Sequence, residues 1–278
     1  MVSRLPGAII RAIIVMALAI LPSVVLPGVS IDSKQMAALV ALFVGLMIFV
    51  EYNGDAPSLI EFRDAPPFNS CRFGILFMVV TLLALVERDH VSPSSLTALV
   101  TAIGGLLGQV LDGAYSPVRL AALLLEGGVN SPAWPELRAA AGLAYAVAAL
   151  GTLLAVALLV LSGWPWRGQA FNVWVNLPTF DPTAGNDVAR RLRRDAVVNL
   201  ALGFFLPFLI PAAVGFGLGG VGAETLLSPQ TLIWTMAAWA FLPASLFLRG
   251  VAMLRVAQMV QQKRRASALA FDEGFMAA

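Results

Sequence analysis

Only one cysteine, Cys71, and one histidine, His90, occur among the 278 residues. A lone thiol excludes an intrachain disulfide. A lone imidazole excludes bis-histidine haem ligation, and H-E-x-x-H, the helical zinc signature, is absent. The two lysines, Lys34 and Lys263, lie outside the apolar runs, so no retinal-type Schiff base is available. There is no P-loop and no G-x-S-x-G elbow. Charge itself is scarce. Asp, Glu, Lys and Arg make up 12% of the chain, against about 25% in an ordinary soluble domain. The net charge of +2 is too small for a nucleic-acid surface. No cofactor is implied, and no nucleic-acid partner.

What remains is apolar. Hydrophobic residues make up 59% of the chain, and the mean hydropathy is +0.84. The composition predicts an all-α, multi-pass transmembrane bundle forming a single membrane domain over residues 1–278. Spans are expected at about 12–29, 36–50, 73–86, 139–164, 196–221 and 229–248, with 91–111 as a further apolar run. The runs at 36–50 and 73–86 are short, roughly 22 Å of helix against a ~30 Å hydrocarbon core. From Pro229 the pattern continues to Arg265, about 55 Å if helical. A cytoplasmic helical extension to about 265 is therefore expected. Its stripe of Val251, Leu254 and Met259 would lie on the membrane surface or a partner. Asp32 with Gln35 resembles a capping box. Ser92-Pro93, Ser116-Pro117, Ser131-Pro132 and Ser228-Pro229 each offer a Ser N-cap with Pro at the first helical position.

Basic residues orient the bundle. Arg167, Arg190, Arg191, Arg193 and Arg194 precede the span at 196–221, and Arg249, Arg255, Lys263, Arg264 and Arg265 end the last one. Both segments are cytoplasmic by the positive-inside rule. If 91–111 crosses, there are seven spans and 12 of the 18 basic residues are inside. If it is re-entrant or lies flat near 91–126, there are six spans, 14 are inside, and the N-terminus is cytoplasmic with the C-terminus. The charge count favours six. Abundant Ala, Leu and Gly, with Arg over Lys, point to a bacterial inner membrane.

Few motifs stand out. Gly217–Gly222 matches G-x-G-x-x-G but ends a membrane span, where the dinucleotide fingerprint lacks its strand and helix. Gly104/Gly108, Ala37/Ala41/Gly45 and Ala140/Ala144/Ala148 are small-residue stripes that let helices approach closely. An aspartate-rich, diphosphate-binding motif would need a second Asp three residues beyond Asp187; Arg190 stands there. Asn186 and Asp187 read instead as a helix start. Arg190, Arg191, Arg193 and Arg194 are candidate contacts for anionic lipid. Asp112 and Arg119 are a candidate charge pair near the fourth apolar run. His90 reads as a solvated loop residue.

Two long loops, 51–72 and 163–195, carry Phe62, Phe68, Phe171, Trp174 and Phe180, too apolar for free linkers. These aromatics are a candidate docking surface. The loops carry opposite net charge, and in the six-span topology they share a face and are expected to pack together. No ionisable residue lies inside the apolar runs, which argues against proton- or ion-coupled transport. The expected function is non-enzymatic: a scaffold, assembly or accessory component of a larger membrane complex, with lipids and another membrane protein as partners. The alternatives are a channel or facilitator for a small neutral solute, and an enzyme on lipid headgroups using Asp55, Glu61 and Asp64.

Overall fold

The computed structural model describes residues 4–55, 58–125, 127–166, 171–178, 180, 187–218 and 226–276, with backbone alone at 174, 218 and 268–276. The helices are α1 (Leu5–Val25), α2 (Ile31–Asn53), α3 (Phe68–Asp89), α4 (Ser95–Val110), α5 (Pro117–Ala122), α6 (Trp134–Leu161), α7 (Val173–Asn176), α8 (Val188–Leu218) and α9 (Pro229–Met276). Among the described residues there is no strand. Six helices, α1, α2, α3, α6, α8 and α9, are long and apolar enough to cross a membrane. The protein is a multi-pass helical bundle.

The helices outrun the apolar runs, which resolves the short-span problem. α3 extends the run 73–86 by Asn69 and Arg72 at one end and Glu87 and Arg88 at the other. It thereby reaches 22 residues, about 33 Å. α1 begins seven residues before the expected boundary, because Arg11 stays helical by donating to the Gly7 carbonyl (3.0 Å) and lying over the Tyr52 ring.

Caps follow local chemistry, with three departures from the expected positions. Ser116 caps α5 as expected. α4 is instead capped by Ser94, which accepts from Thr97 N–H while Thr97 Oγ1 accepts from Ser94 N–H, a complete capping box. α2 is capped by Ser30, and Asp32 sits in its first turn. Ser131 does not cap α6, which starts at Trp134 after Ala133.

Both ends of α1 and α2 can be placed by contacts. Arg4 donates to the Gly54 carbonyl (3.4 Å), so the start of α1 and the end of α2 share one end of the bundle. Glu61 of the following loop meets Arg249 there. This capped end holds the start of α3, the end of α6 and the start of α8. The far end holds the ends of α1, α3 and α8 and the starts of α2, α6 and α9. Arg88 there reaches the Val25 carbonyl, and Gln230 reaches Ser23.

α4 begins and finishes at the far end. Thr97 in its first turn donates to Asp89 at the end of α3 (2.6 Å). Asp112, just past its last turn, bonds Arg138 in the first turns of α6 (3.2 Å). A helix crossing back would end beside Leu161 instead. α4 is seated by small residues: a Cβ on Gly108 would stand 2.7 Å from the Arg138 carbonyl, and one on Gly142 would stand 2.5 Å from Gly108 itself. The other two stripes are also consumed internally. Gly45 abuts Met16, and Ala140, Ala144 and Ala148 are buried.

The core runs through α3, α6 and α9. Leu232, Ile233, Met236, Leu248, Ala252 and Val256 of α9 are completely covered. α2 packs mainly on α1, and its long outer face is left to the surroundings. Within α8, Pro211 cannot donate to the Pro207 carbonyl. The buried Trp239 indole of α9 donates to that oxygen instead (3.0 Å).

The C-terminal extension is helical, as expected, and runs beyond 265 to Met276. Its stripe does not lie on the membrane surface. Met259 is buried in the protein's own core and Leu254 packs half-buried against it, with Val251 half-buried alongside, because α8 and the capped-end loops come to meet the helix.

Candidate functional site: a cap of two loops

The loop after α2 folds around two buried charges. Glu51 accepts from the N–H groups of Ser58, Leu59 and Ile60 at 2.7, 2.8 and 2.9 Å, and from the Ser58 hydroxyl. Arg63, whose side chain is 1% exposed, donates to the carbonyls of Glu51 (2.6 Å), Gly54 (2.9 Å) and Asp55, and pairs with Asp64. A guanidinium at the C-terminus of α2 also faces the negative end of the helix dipole. Asn69 donates to the Glu61 carbonyl and closes the loop onto α3.

The second loop docks on the first. Phe62 N–H donates to the Asn176 carbonyl (2.6 Å), and Asp64 N–H to Asn176 Oδ1 (3.2 Å). Phe62 takes a φ of 55°, costly for a bulky residue. It is held there by that bond and by its ring, which packs on Phe68, Trp164 and Phe171 at centroid distances of 4.5, 5.7 and 6.3 Å. Such pairs add about 0.5–1.5 kcal/mol each beyond area burial.

The last helix locks the assembly. Arg249 forms a two-pronged pair with Glu61 (2.5 and 2.7 Å) and bonds Asn199 Oδ1 (2.9 Å). Arg255 donates to the Trp164 carbonyl (2.6 Å) and stacks over Trp166, whose indole reaches Gln262. Arg264 meets Asp187, which caps α8 by accepting from Ala189 N–H. Asn186 lies outside the described residues, as do Gly219–Gly222.

The expected packing of the two loops is thus present, and among the described residues the contacts that join them are not ion pairs. Backbone bonds and aromatic rings join them, while Glu61 pairs with the last helix. The aromatic docking surface needs correction. Phe62 and Phe68 are 1% exposed, Phe180 is buried and Phe171 is half-buried. They cover one another and leave little ring surface for a partner; the side chain of Trp174 lies outside the described set. Among the four arginines, Arg190, Arg193 and Arg194 are exposed on the cap, and Arg191 lies over the Phe180 ring. Asp112 does pair with Arg119 (3.2 Å). It also pairs with Arg138, which sequence reasoning missed because that contact spans two helices. Comparison with family models, curated proteins and solved structures gives no match.

Proposed function

We propose that the protein is a non-enzymatic accessory or assembly component of a bacterial inner-membrane complex, with its cap in the cytoplasm. One observation carries this reading: the charged groups of the cap are spent on holding loops and helices together. Glu51, Arg63, Glu61 and Arg249 are each bound to protein partners, and Asp64 and Asp55 face Arg63 and Arg4. Of the three carboxylates in the headgroup-enzyme alternative, Glu61 is thus spent on Arg249, while Asp55 and Asp64 keep exposed side chains. The product is a rigid platform bearing Arg190, Arg193 and Arg194 outward, suited to anionic lipid or an acidic partner.

The cytoplasmic assignment rests on charge. Among the described basic residues only Lys34, Arg88, Arg119 and Arg138 sit at the far end, and the other 13 fall on the capped side. In a Cys71→Ser background, Arg193→Cys places one thiol on the cap. An impermeant maleimide should label it in inverted vesicles and fail to do so from the periplasmic side.

Accessory function is tested by purification from native membranes in mild detergent. A stoichiometric membrane-protein partner, lost on Arg190→Glu/Arg193→Glu with expression unchanged, is the expected result. A protein that migrates alone, and that passes a neutral solute in liposomes, would support the facilitator reading. That reading has one observation in its favour: a 220 Å³ cleft beside the proline-bearing stretch of α8, lined by Tyr145, Thr152, Phe204, Pro207 and Pro243 among others.

A further inference from the structure

At the far end, the end of α3 and the first turn of α6 bring Glu87, His90 and Glu136 together. One ligand atom from each lies within 4.8 Å of the others. Glu87 and His90 stand one helical turn apart, which puts them on the same face. Glu87 is 4% exposed, and its Oε1 has no hydrogen-bond partner. Glu51, equally buried, accepts three N–H groups and a hydroxyl. The guanidiniums of this end have other partners: Arg88 reaches the Val25 carbonyl, and Arg119 and Arg138 pair with Asp112, with Arg138 Nε alone left without a hydrogen bond. A buried carboxylate beside a second carboxylate, with no donor, lacks compensation. A cation beside it would supply that compensation. The imidazole adds the nitrogen ligand that a first-row metal prefers and that Mg²⁺ or Ca²⁺ does not need.

We propose that Glu87, His90 and Glu136 bind a first-row divalent cation of the zinc class, clamping α3 to α6. Metal–ligand bonds of about 2.0–2.2 Å place tetrahedral ligands roughly 3.4 Å apart. The three groups therefore need a modest closure, which the exposed His90 ring is free to make. Three protein ligands leave a fourth position for water. His90 at the surface provides the entry path. The inference is independent of the accessory reading, since it concerns the opposite end of the bundle.

The test uses full-length, chelator-treated protein in detergent, purified without a polyhistidine tag because His90 is the only imidazole. Titration with Zn²⁺ is expected to give one ion per chain, and the single set of imidazole ¹⁵N signals should shift on addition. His90→Ala and Glu136→Gln, changes at an exposed and a half-buried position, should each weaken binding at least tenfold. Glu87→Gln should do the same, and Asp32→Asn, exposed at the same end, should change nothing. Absence of Zn²⁺ binding with unmoved imidazole signals would overturn the proposal. So would undiminished binding in both His90→Ala and Glu136→Gln.

Discussion

Two carboxylates buried at opposite ends of the bundle, Glu51 and Glu87, are treated in opposite ways. At the capped end Glu51 and Arg63 are each 6% exposed and each surrounded by partners. At the far end Glu87 is 4% exposed with a bare oxygen, and Asp112 Oδ1 and Arg138 Nε also lack hydrogen bonds. Asp112 Oδ1 does lie 3.2 Å from Arg119 Nε, an ion pair whose angle is too poor for a hydrogen bond. Burial alone therefore does not distinguish a finished structural charge from one awaiting a ligand; the partner inventory does.

Arg63→Ala should produce the largest effect. It would leave three carbonyls and Asp64 without their donor, costing about 3–5 kcal/mol, a fall in Tm of about 10 °C in a detergent melt. Glu61→Ala follows, at about 2–4 kcal/mol, because Arg249 would lose its carboxylate. The double variant with Arg249→Ala should cost less than the two single changes added together. At the far end Asp112→Asn should cost only about 1–2 kcal/mol, since the Arg119 side chain is 37% exposed and partly screened. In metal-free protein Glu87→Gln should have the opposite sign, a gain of up to about 1 kcal/mol, because no donor is lost and a buried charge is removed. If Glu87→Gln and Arg63→Ala proved equally damaging, the contrast between the ends would collapse. Arg190→Ala and Arg193→Ala should stay within about 0.5 kcal/mol in the same melts.

Much of the architecture was legible from local signals. Apolar runs located the six long helices, the arginine count favoured a fourth run that does not cross, and the Ser116-Pro117 start was read to the residue. Boundaries were less legible, because polar residues join a helix whenever a neighbouring chain satisfies them. Arg11 does so over Tyr52, and Arg249 through Glu61. The loop aromatics were rightly read as needing cover, but their exposure could not be judged without knowing that Asn176 brings the second loop onto Phe62. The same limit hid Arg138 from Asp112 and Glu136 from Glu87. Each pair joins distant segments, and no periodicity encodes such a contact.

The Trp239 bond to the Pro207 carbonyl has a consequence for biogenesis. While the ribosome is still making the last helix, α8 carries a bare carbonyl that lipid cannot satisfy, and Glu61 has yet to meet Arg249. Both are satisfied only once the final stretch of the chain has emerged. Nascent chains cut short before Trp239 should therefore be held by insertion chaperones or cleared by membrane proteases, whereas chains that extend past Arg249 carry the partners of both the Pro207 carbonyl and Glu61.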